Sequence, residues 1–370
     1  MEGLGRGADD VKNKNMENTV FILGAGASKE GGAPLMGDFL DVAHRQWQLG
    51  QAGEEATAFQ TVFKGISSLQ DVHSKSELDI NNVESIFTAF EMAKILNRFP
   101  RREAAEIDGM IQALKKVIAK TLETTLRFPV QSGRIHSPAP YDKFVKLLRQ
   151  LEQESKPQQS ISILTFNYDI AMDYALQIGG FDVNYGLRDG DKIPLLKLHG
   201  SLNWTKSVDT DAIIPYGVLP FLSTRQLQIW PETRWVTIPM SSSLRDLDQG
   251  TRRVTGEPLI VPPTWNKGDS HKSLTQIWAR AAQALSQAEN IFVIGYSLPP
   301  SDAFFRYLYA LGTAGDVLLK RFWVFDPASE GVEQRFRTLL GSGARERFRY
   351  FRKTFSEAID VIENTFPKAN

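Results

Sequence analysis

Short apolar runs separated by longer amphipathic stretches set the plan of this chain. Thr19–Leu23, Ser160–Thr165, Asn290–Gly295 and Arg321–Asp326 are rich in β-branched and other apolar residues, and each runs into a Gly, Asn or Asp. That is the pattern of strands buried on both faces of a parallel sheet. Leu195–His199 adds a shorter strand, and Pro258–Val261 is a candidate sixth. Apolar residues at helical spacing follow over Pro34–Leu49, Asp169–Ile178, Asp302–Leu311 and Gly331–Leu340. Strands alternating with helices predict an α/β fold, a Rossmann-like parallel sheet flanked by helices. Ligands on such sheets sit at the carboxyl ends of the strands.

Two stretches break the alternation. Residues 51–127 carry only helical periodicity: Val83, Ile86, Phe87 and Phe90 share one face, and Ile107, Met110, Ile111, Leu114 and Ile118 another. They predict an all-helical module inserted after the first strand–helix unit. Residues 205–257, with scattered Trp and Pro, predict an irregular, partly mobile insertion. The sheet domain is then residues 18–50 and 128–370, preceded by a polar, flexible tail over residues 1–17. In Arg345–Arg352 charged and aromatic residues alternate, which an RNA-binding strip would also show. A half-buried edge strand explains the period of two more simply.

Composition narrows the chemistry. Lys+Arg and Asp+Glu each number 43, so the formal net charge is zero. The basic surplus usual in a nucleic-acid-binding protein is missing, and no direct nucleic-acid contact is expected. The sequence holds no cysteine, which excludes disulfides, thiol nucleophiles and Cys-ligated zinc. The five histidines (His44, His73, His136, His199, His271) are scattered, so no metal is expected. With no apolar run approaching the ~20 residues of a membrane helix, a cytoplasmic protein is the expectation.

The candidate chemistry lies at the strand ends. Gly24-Ala25-Gly26-Ala27-Ser28 directly follows a strand, where small residues let backbone N–H groups approach a pyrophosphate. The dinucleotide fingerprint expects a further glycine where Lys29 stands. The acidic residue expected roughly 20 positions on has no clear counterpart, Asp38 and Asp41 coming early; Asp38 is carried as a candidate cofactor contact. A tight turn is the plain alternative for the loop, and Gly26→Val separates the two by weakening dinucleotide binding with the sheet intact. Asn167 and Asp169 lie past another strand end, where helix capping is the plain alternative. His199 ends a further strand and, alone, could be a core histidine. Gly295 and Ser297 add a close-approach glycine and a hydroxyl, and Asp326 suits a ribose hydroxyl.

Together, Gly24-Ala25-Gly26-Ala27-Ser28, Thr165-Phe166-Asn167-Tyr168-Asp169, Leu198-His199-Gly200-Ser201 and Gly295-Tyr296-Ser297-Leu298 resemble the sirtuin-like superfamily. More narrowly they resemble its bacterial branch that degrades NAD in defence against phage. Asp79-Ile80-Asn81-Asn82-Val83-Glu84 is similar to a stretch recurrent in that branch. Protein-deacylating sirtuins carry a four-cysteine zinc module where this chain has residues 205–257, and Gln where it has Phe166; these departures speak against deacylation.

The resemblance implies an NAD+ glycohydrolase acting in antiphage defence by NAD+ depletion. Asn167 would position water and the ribose hydroxyls, His199 would act as general base, and Asp169 would bind the nicotinamide carboxamide. Gly24, Ala25, Gly26, Ser28, Asp38, Gly295, Ser297 and Asp326 complete the cofactor-binding set. The alternatives are an NAD-dependent deacylase or ADP-ribosyltransferase, and a non-catalytic NAD-sensing subunit of a defence complex. An unregulated NADase would kill its own cell. Control by homo-oligomerisation, or by a partner such as a HerA-like ATPase or an Argonaute-type protein, is therefore expected.

Overall fold

The computed structural model describes residues 16–70, 77–188, 190, 193–224, 229–230, 232–247, 253–262, 273–300, 302–315, 317–328, 330–366 and 368. His73 and His271 lie outside them, as do the first 15 residues of the expected tail and parts of the 205–257 stretch.

The chain begins with β1 (Met16–Leu23), α1 (Ala25–Lys29) and α2 (Phe39–Gln48), and then enters the helical stretch as α3 (Ala56–Gln70), α4 (Val83–Leu96) and α5 (Ala104–Thr125). The hairpin β2 (Phe128–Gln131) and β3 (Arg134–Ile135) leads to α6 (Ala139–Gln153), β4 (Gln158–Thr165), α7 (Ala171–Ile178), β5 (Val183–Asn184) and β6 (Ile193–Lys197). Short pieces follow: β7 (Gly200–Ser201), β8 (Trp204–Lys206), β9 (Ile213–Pro215), α8 (Val218–Thr224), β10 (Trp235–Val236), a 3-10 turn (Ser241–Leu247) and β11 (Leu259–Ile260). The last third is α9 (Thr275–Ser286), β12 (Asn290–Ile294), α10 (Ala303–Gly312), β13 (Arg321–Phe325), α11 (Glu330–Leu339), α12 (Ser342–Arg345), β14 (Phe348–Phe351) and α13 (Phe355–Glu363).

Seven strands form one sheet in the order β14-β13-β12-β1-β4-β6-β5, every neighbouring pair parallel. The apolar runs do not alternate with polar residues because both faces are covered. Phe21 and Leu23 of β1 enter one core with Phe144 and Phe292, while Val20 and Ile22 enter the opposite core with Phe305 and Phe322. The chain leaves β1 toward β4 on one side and returns through β12 on the other, so the order reverses beside β1. An open α/β sheet offers its crevice at such a point.

The helical module is not a detached body. Val83, Ile86, Phe87 and Phe90 of α4 and Ile107, Met110, Leu114 and Ile118 of α5 are buried in the core cluster that also holds Phe21 and Phe292. The periodicity marked the right faces, and those faces close over one side of the sheet.

Several boundaries differ from the expectation. The strand begins at Met16, within the expected tail, because the Glu17 carboxylate accepts from Lys320 Nζ (2.6 Å) and Asn290 Nδ2 (3.0 Å). Helix α2 starts at Phe39 and not Pro34, since residues 34–38 form a turn tied by Asp38 Oδ1 accepting from the Leu35 N–H at 2.6 Å. Leu259–Ile260 stays outside the parallel sheet and pairs antiparallel with Gly200–Ser201. The stretch read as irregular contains an antiparallel β8–β9 pair, and β10 joins β2. At the sheet's edge β14 is the strand expected from the alternation in Arg345–Arg352.

Candidate active site

Past the strand ends the backbone goes on hydrogen-bonding, and this sets the site. Gly24 N–H donates to Ile294 O (3.1 Å), Phe166 N–H to Leu23 O (3.1 Å), Leu198 N–H to Thr165 O (2.9 Å) and Gly295 N–H to Phe325 O (2.9 Å). The segments after β1, β4, β6, β12 and β13 are thereby held side by side. They line a cavity of about 360 Å³ that receives Ala25, Gly26, Ser28, Asn167, Asp169, His199, Gly295, Ser297 and Asp326. A volume of this size is within the range of small-molecule sites. Val83, Phe87, Ile118 and Leu122 of the helical module form an apolar wall.

Two of the candidate cofactor contacts are absent from that lining. Gly24 is required by packing: a Cβ there would stand 2.5 Å from Tyr296 Cα. Asp38 is tied within the loop, its Oδ2 accepting from Lys29 Nζ at 2.7 Å while Oδ1 holds the 34–38 turn. It braces the loop beside the cavity.

The glycine turn also differs from a free phosphate cradle. The N–H groups of Gly26 and Ala27 donate to Gly295 O and Gly24 O, both at 2.9 Å. A Cβ on Gly26 would stand 2.6 Å from Gly295 Cα, and Gly295 itself has φ +62. The two glycines let β1 and β12 ends touch backbone to backbone. A Gly26→Val chain would therefore not keep its sheet intact, and that substitution cannot report on NAD affinity alone.

Ser28 is the centre of a buried network. Its Oγ donates to Asp169 Oδ2 (2.6 Å), accepts from Asn167 Nδ2 (3.0 Å), and lies 2.6 Å from the Tyr141 hydroxyl. With its one proton on Asp169, the contact with Tyr141 must be donated by the tyrosine. A hydroxyl has one donor and two acceptor positions, so Ser28 has none left for a phosphate oxygen. Its contribution is to hold Asn167. The amide nitrogen of Asn167 also donates to Gly24 O at 2.9 Å, and a carbonyl can only accept. This fixes the flip and leaves Asn167 Oδ1, with no hydrogen bond among the described residues, on the cavity side.

Asp169 is 4% exposed, and its Oδ1 accepts from the Ala171 N–H at the first turn of α7. Both its oxygens are engaged inside the protein, so capping and loop-holding describe it better than a contact with a carboxamide. Burial raises its carboxyl above the usual range, against the lowering effect of Lys197 and Ser28.

His199 is 5% exposed, in an aromatic wall. Its ring is 5.2 Å from that of Phe166 and 6.2 Å from that of Tyr168, and Phe166 stacks on Tyr296 at 4.2 Å. At the other end, Asp326 is 7% exposed, with Oδ1 accepting from the Ala328 N–H (2.8 Å). Burial raises its carboxyl too. Oδ2 takes no hydrogen bond among the described residues, which suits a ribose hydroxyl.

Reading the strand ends alone missed three groups. Lys197 and Asp173 form an ion pair at 2.7 Å with 1% and 0% side-chain exposure, and Lys197 Nζ also donates to Asp169 O at 2.6 Å. Tyr185 donates to the second Asp173 oxygen at 2.7 Å. Tyr141, on α6, holds Ser28, and Asp302 caps α10 while accepting from Tyr296 Oη at 2.6 Å. The signal for the first was present: a Lys inside an apolar strand and an Asp inside an apolar helix rarely go under without each other. Among the described residues no three His, Asp or Glu side chains converge as a metal site.

No protein-family model matches the chain. No curated protein matches it. Among solved structures, a mutant Sir2 homologue in complex with ADP-ribose is 12% identical, with 96% of this chain and 95% of that chain covered and a TM-score of 0.39. A Sir2 homologue–NAD complex is 14% identical, with 98% and 96% covered and a TM-score of 0.39. Sir2Tm bound to a propionylated peptide is 13% identical, with 96% and 95% covered and a TM-score of 0.37. At such values the function has to be argued from this chain's own residues.

Proposed function

We propose that the protein is an NAD+ glycohydrolase that cleaves the nicotinamide–ribose bond to give nicotinamide and ADP-ribose. The observation that carries the proposal is the meeting of Asn167 and His199 in one cavity with the glycine turn and Asp326. The cavity runs along the carboxyl edge of the sheet, from the β6 end to the β13 end, long enough in strands to take an extended ligand.

Nicotinamide is a cationic leaving group, so the C1′–N bond can break without a general acid, and positive charge moves to an oxocarbenium-like ribose. Water then adds to C1′: its oxygen forms the new bond, the electron pair of the old bond leaves with nicotinamide, and one water proton must be removed. Asn167 Oδ1, held by the Gly24 and Ser28 contacts of its nitrogen, is the acceptor that would orient that water or a ribose hydroxyl. His199 would take the proton. Asp326 would hold the ribose at the far end. The aromatic wall of Phe166, Tyr168 and Tyr296 keeps stray water from the cation.

The biological role that fits is bacterial antiphage defence by NAD+ depletion, supported by the motif resemblance. Self-assembly or a separate partner such as a HerA-like ATPase would hold the activity in check. The test is nicotinamide release from NAD+ by wild-type, Asn167→Ala and His199→Ala proteins in their activated assembly. Each variant is expected to lose ~10²-fold or more while remaining folded by circular dichroism. A His199→Ala protein with wild-type turnover would refute the enzyme reading.

A further inference from the structure

The chain leaves β13 in a turn that the sheet's edge strand holds. The Asp326 N–H donates to Phe351 O at 3.1 Å, and the Tyr350 hydroxyl lies 3.1 Å from both Asp326 O and Ala328 O. Phe325 stacks on Phe351 with ring centres 4.8 Å apart. So held, Asp326 joins the cavity lining with Pro327, Ala328, Lys353 and Thr354. Its Oδ1 closes its own turn on the Ala328 N–H at 2.8 Å. Holding a turn takes one carboxylate oxygen. The second, Oδ2, has no partner among the described residues, in a residue only 7% exposed. A carboxylate that deep is unfavourable unless something donates to its free oxygen.

The place of Asp326 decides which part of a dinucleotide it meets. His199 and Asn167 follow β6 and β4 at one end of the cavity, Gly26 and Gly295 follow β1 and β12 in the middle, and Asp326 follows β13 at the other end. Four inter-strand spacings separate the two ends, roughly 19 Å at about 4.8 Å each. With the bond to nicotinamide at the Asn167–His199 end, the ribose that reaches Asp326 is that of the adenosine half. The other charges there do not favour an added anion. Glu30 also lines the cavity and is fixed to this end by Ser356, whose N–H and Oγ donate to its two oxygens at 2.9 and 2.5 Å. Lys353 Nζ lies 3.8 Å from Glu357, and Lys29, the other lysine of the lining, 2.7 Å from Asp38. Arg335 is outside the lining, its Nε donating to Ser297 O at 2.9 Å.

We propose that Asp326 selects a dinucleotide whose adenosine ribose carries free hydroxyls and rejects the 2′-phosphorylated form, so that the site takes NAD+ and not NADP+. The inference rests on the dinucleotide reading of the cavity and adds to it a choice made at the substrate's adenosine half. A ribose hydroxyl has a proton to give to Oδ2. A 2′-phosphate presents acceptor oxygens instead and brings like charge against Asp326 and Glu30, which lowers affinity by about a hundredfold. Asp326 stands at the end remote from the breaking bond, so its effect falls on binding.

The test is calorimetric binding of ADP-ribose and of ADP-ribose 2′-phosphate to the full-length chain, since neither has a nicotinamide bond to lose. The wild-type protein should prefer ADP-ribose by on the order of 10²-fold. Asp326→Asn keeps an acceptor for the Ala328 N–H and removes the charge. It should weaken ADP-ribose by up to about tenfold, the difference between a charged and a neutral hydrogen bond. It should also narrow the ratio between the two ligands by about tenfold or more. Asp326→Ser, uncharged and able to hold the same turn, gives the same comparison if the Asn protein does not fold. A wild-type preference under ~10-fold, or a ratio that both substitutions leave unchanged, overturns the proposal and leaves the dinucleotide site standing. If the wild-type protein binds neither ligand, the dinucleotide reading of the cavity fails, and the role of Asp326 with it.

Discussion

Neutralising Lys197 tests how the floor of the candidate site is held. Its ammonium is 1% exposed, 2.7 Å from Asp173 Oδ2 and 2.6 Å from Asp169 O. In Lys197→Met the Asp173 carboxylate stays in the core with only the Tyr185 hydroxyl, and the Asp169 carbonyl loses a donor. Breaking a buried pair from one side costs about 3–5 kcal/mol, and an orphaned carbonyl about 1–3 kcal/mol. These overlap in one network, so a loss of about 4–5 kcal/mol is expected for the single variant. Lys197→Met with Asp173→Leu removes both charges and should recover at least ~2 kcal/mol of that loss. The Tyr185 hydroxyl, which still accepts from Asn203 Nδ2, would lack an acceptor for its own proton and Asp169 O a donor, so recovery is incomplete. Urea unfolding followed by tryptophan fluorescence measures both. A single variant that loses under ~1 kcal/mol, or a double variant no more stable than the single, would refute the account. NAD cleavage should fall with the single substitution as well, because Lys197 holds the backbone between Asn167 and α7.

Two further outcomes follow from the packing. Gly26→Ala should lower the thermal midpoint measurably, by about 1–3 kcal/mol of stability, since its Cβ would stand 2.6 Å from Gly295 Cα; melting like wild type would show that the turn yields more easily than its contacts indicate. Glu123 is raised from the ordinary 4.5 to about 7, by burial before any hydrogen bond. The folded state thus binds the extra proton between those values, and stability falls as pH climbs from 4.5 toward 7. The full effect is on the order of 3 kcal/mol. Glu123→Gln should flatten that decline in urea titrations across the interval, and an unchanged slope would remove Glu123 as its source.

The fold was legible because apolar content and period decide it. Both-face burial made β1, β4, β12 and β13 continuous apolar runs, and helical period placed Ile86, Phe90 and Leu114 on faces that are indeed buried. What escaped were elements built from very few residues or set by tertiary pairing. Leu259–Ile260 reads as a strand of the sheet, yet His199 O accepts from the Val261 N–H at 2.9 Å and draws the segment against β7. His44 of α2 packs edge-on to Phe63 of α3 at 4.8 Å, a contact that the period of its own helix does not show.

At the site, residue identities were more legible than the atoms available to a ligand. Gly26, Asn167, His199, Gly295 and Asp326 do reach one cavity, as strand-end placement implies. Whether a polar group can serve a ligand, however, depends on how much of its hydrogen-bonding capacity the fold has already used. Ser28 and Asp169 satisfy each other, Asn167 and the α7 terminus. Only the partners distinguish them from Asn167 Oδ1 and Asp326 Oδ2, and those partners lie 113 to 143 residues away for Ser28 and Asn167. A spacing rule cannot see such distances, but a charge rule can see part of them. Lys197 in an apolar strand and Asp173 in an apolar helix are each too costly to bury alone. The cheapest resolution is that they meet, and the strand and helix then have to lie against each other. That contact sets the Asn167–Asp169 segment on its floor. An isolated charge of each sign in two otherwise apolar elements is thus a signal, present in the sequence though missed by reading strand ends alone, of where the candidate-site loop is anchored.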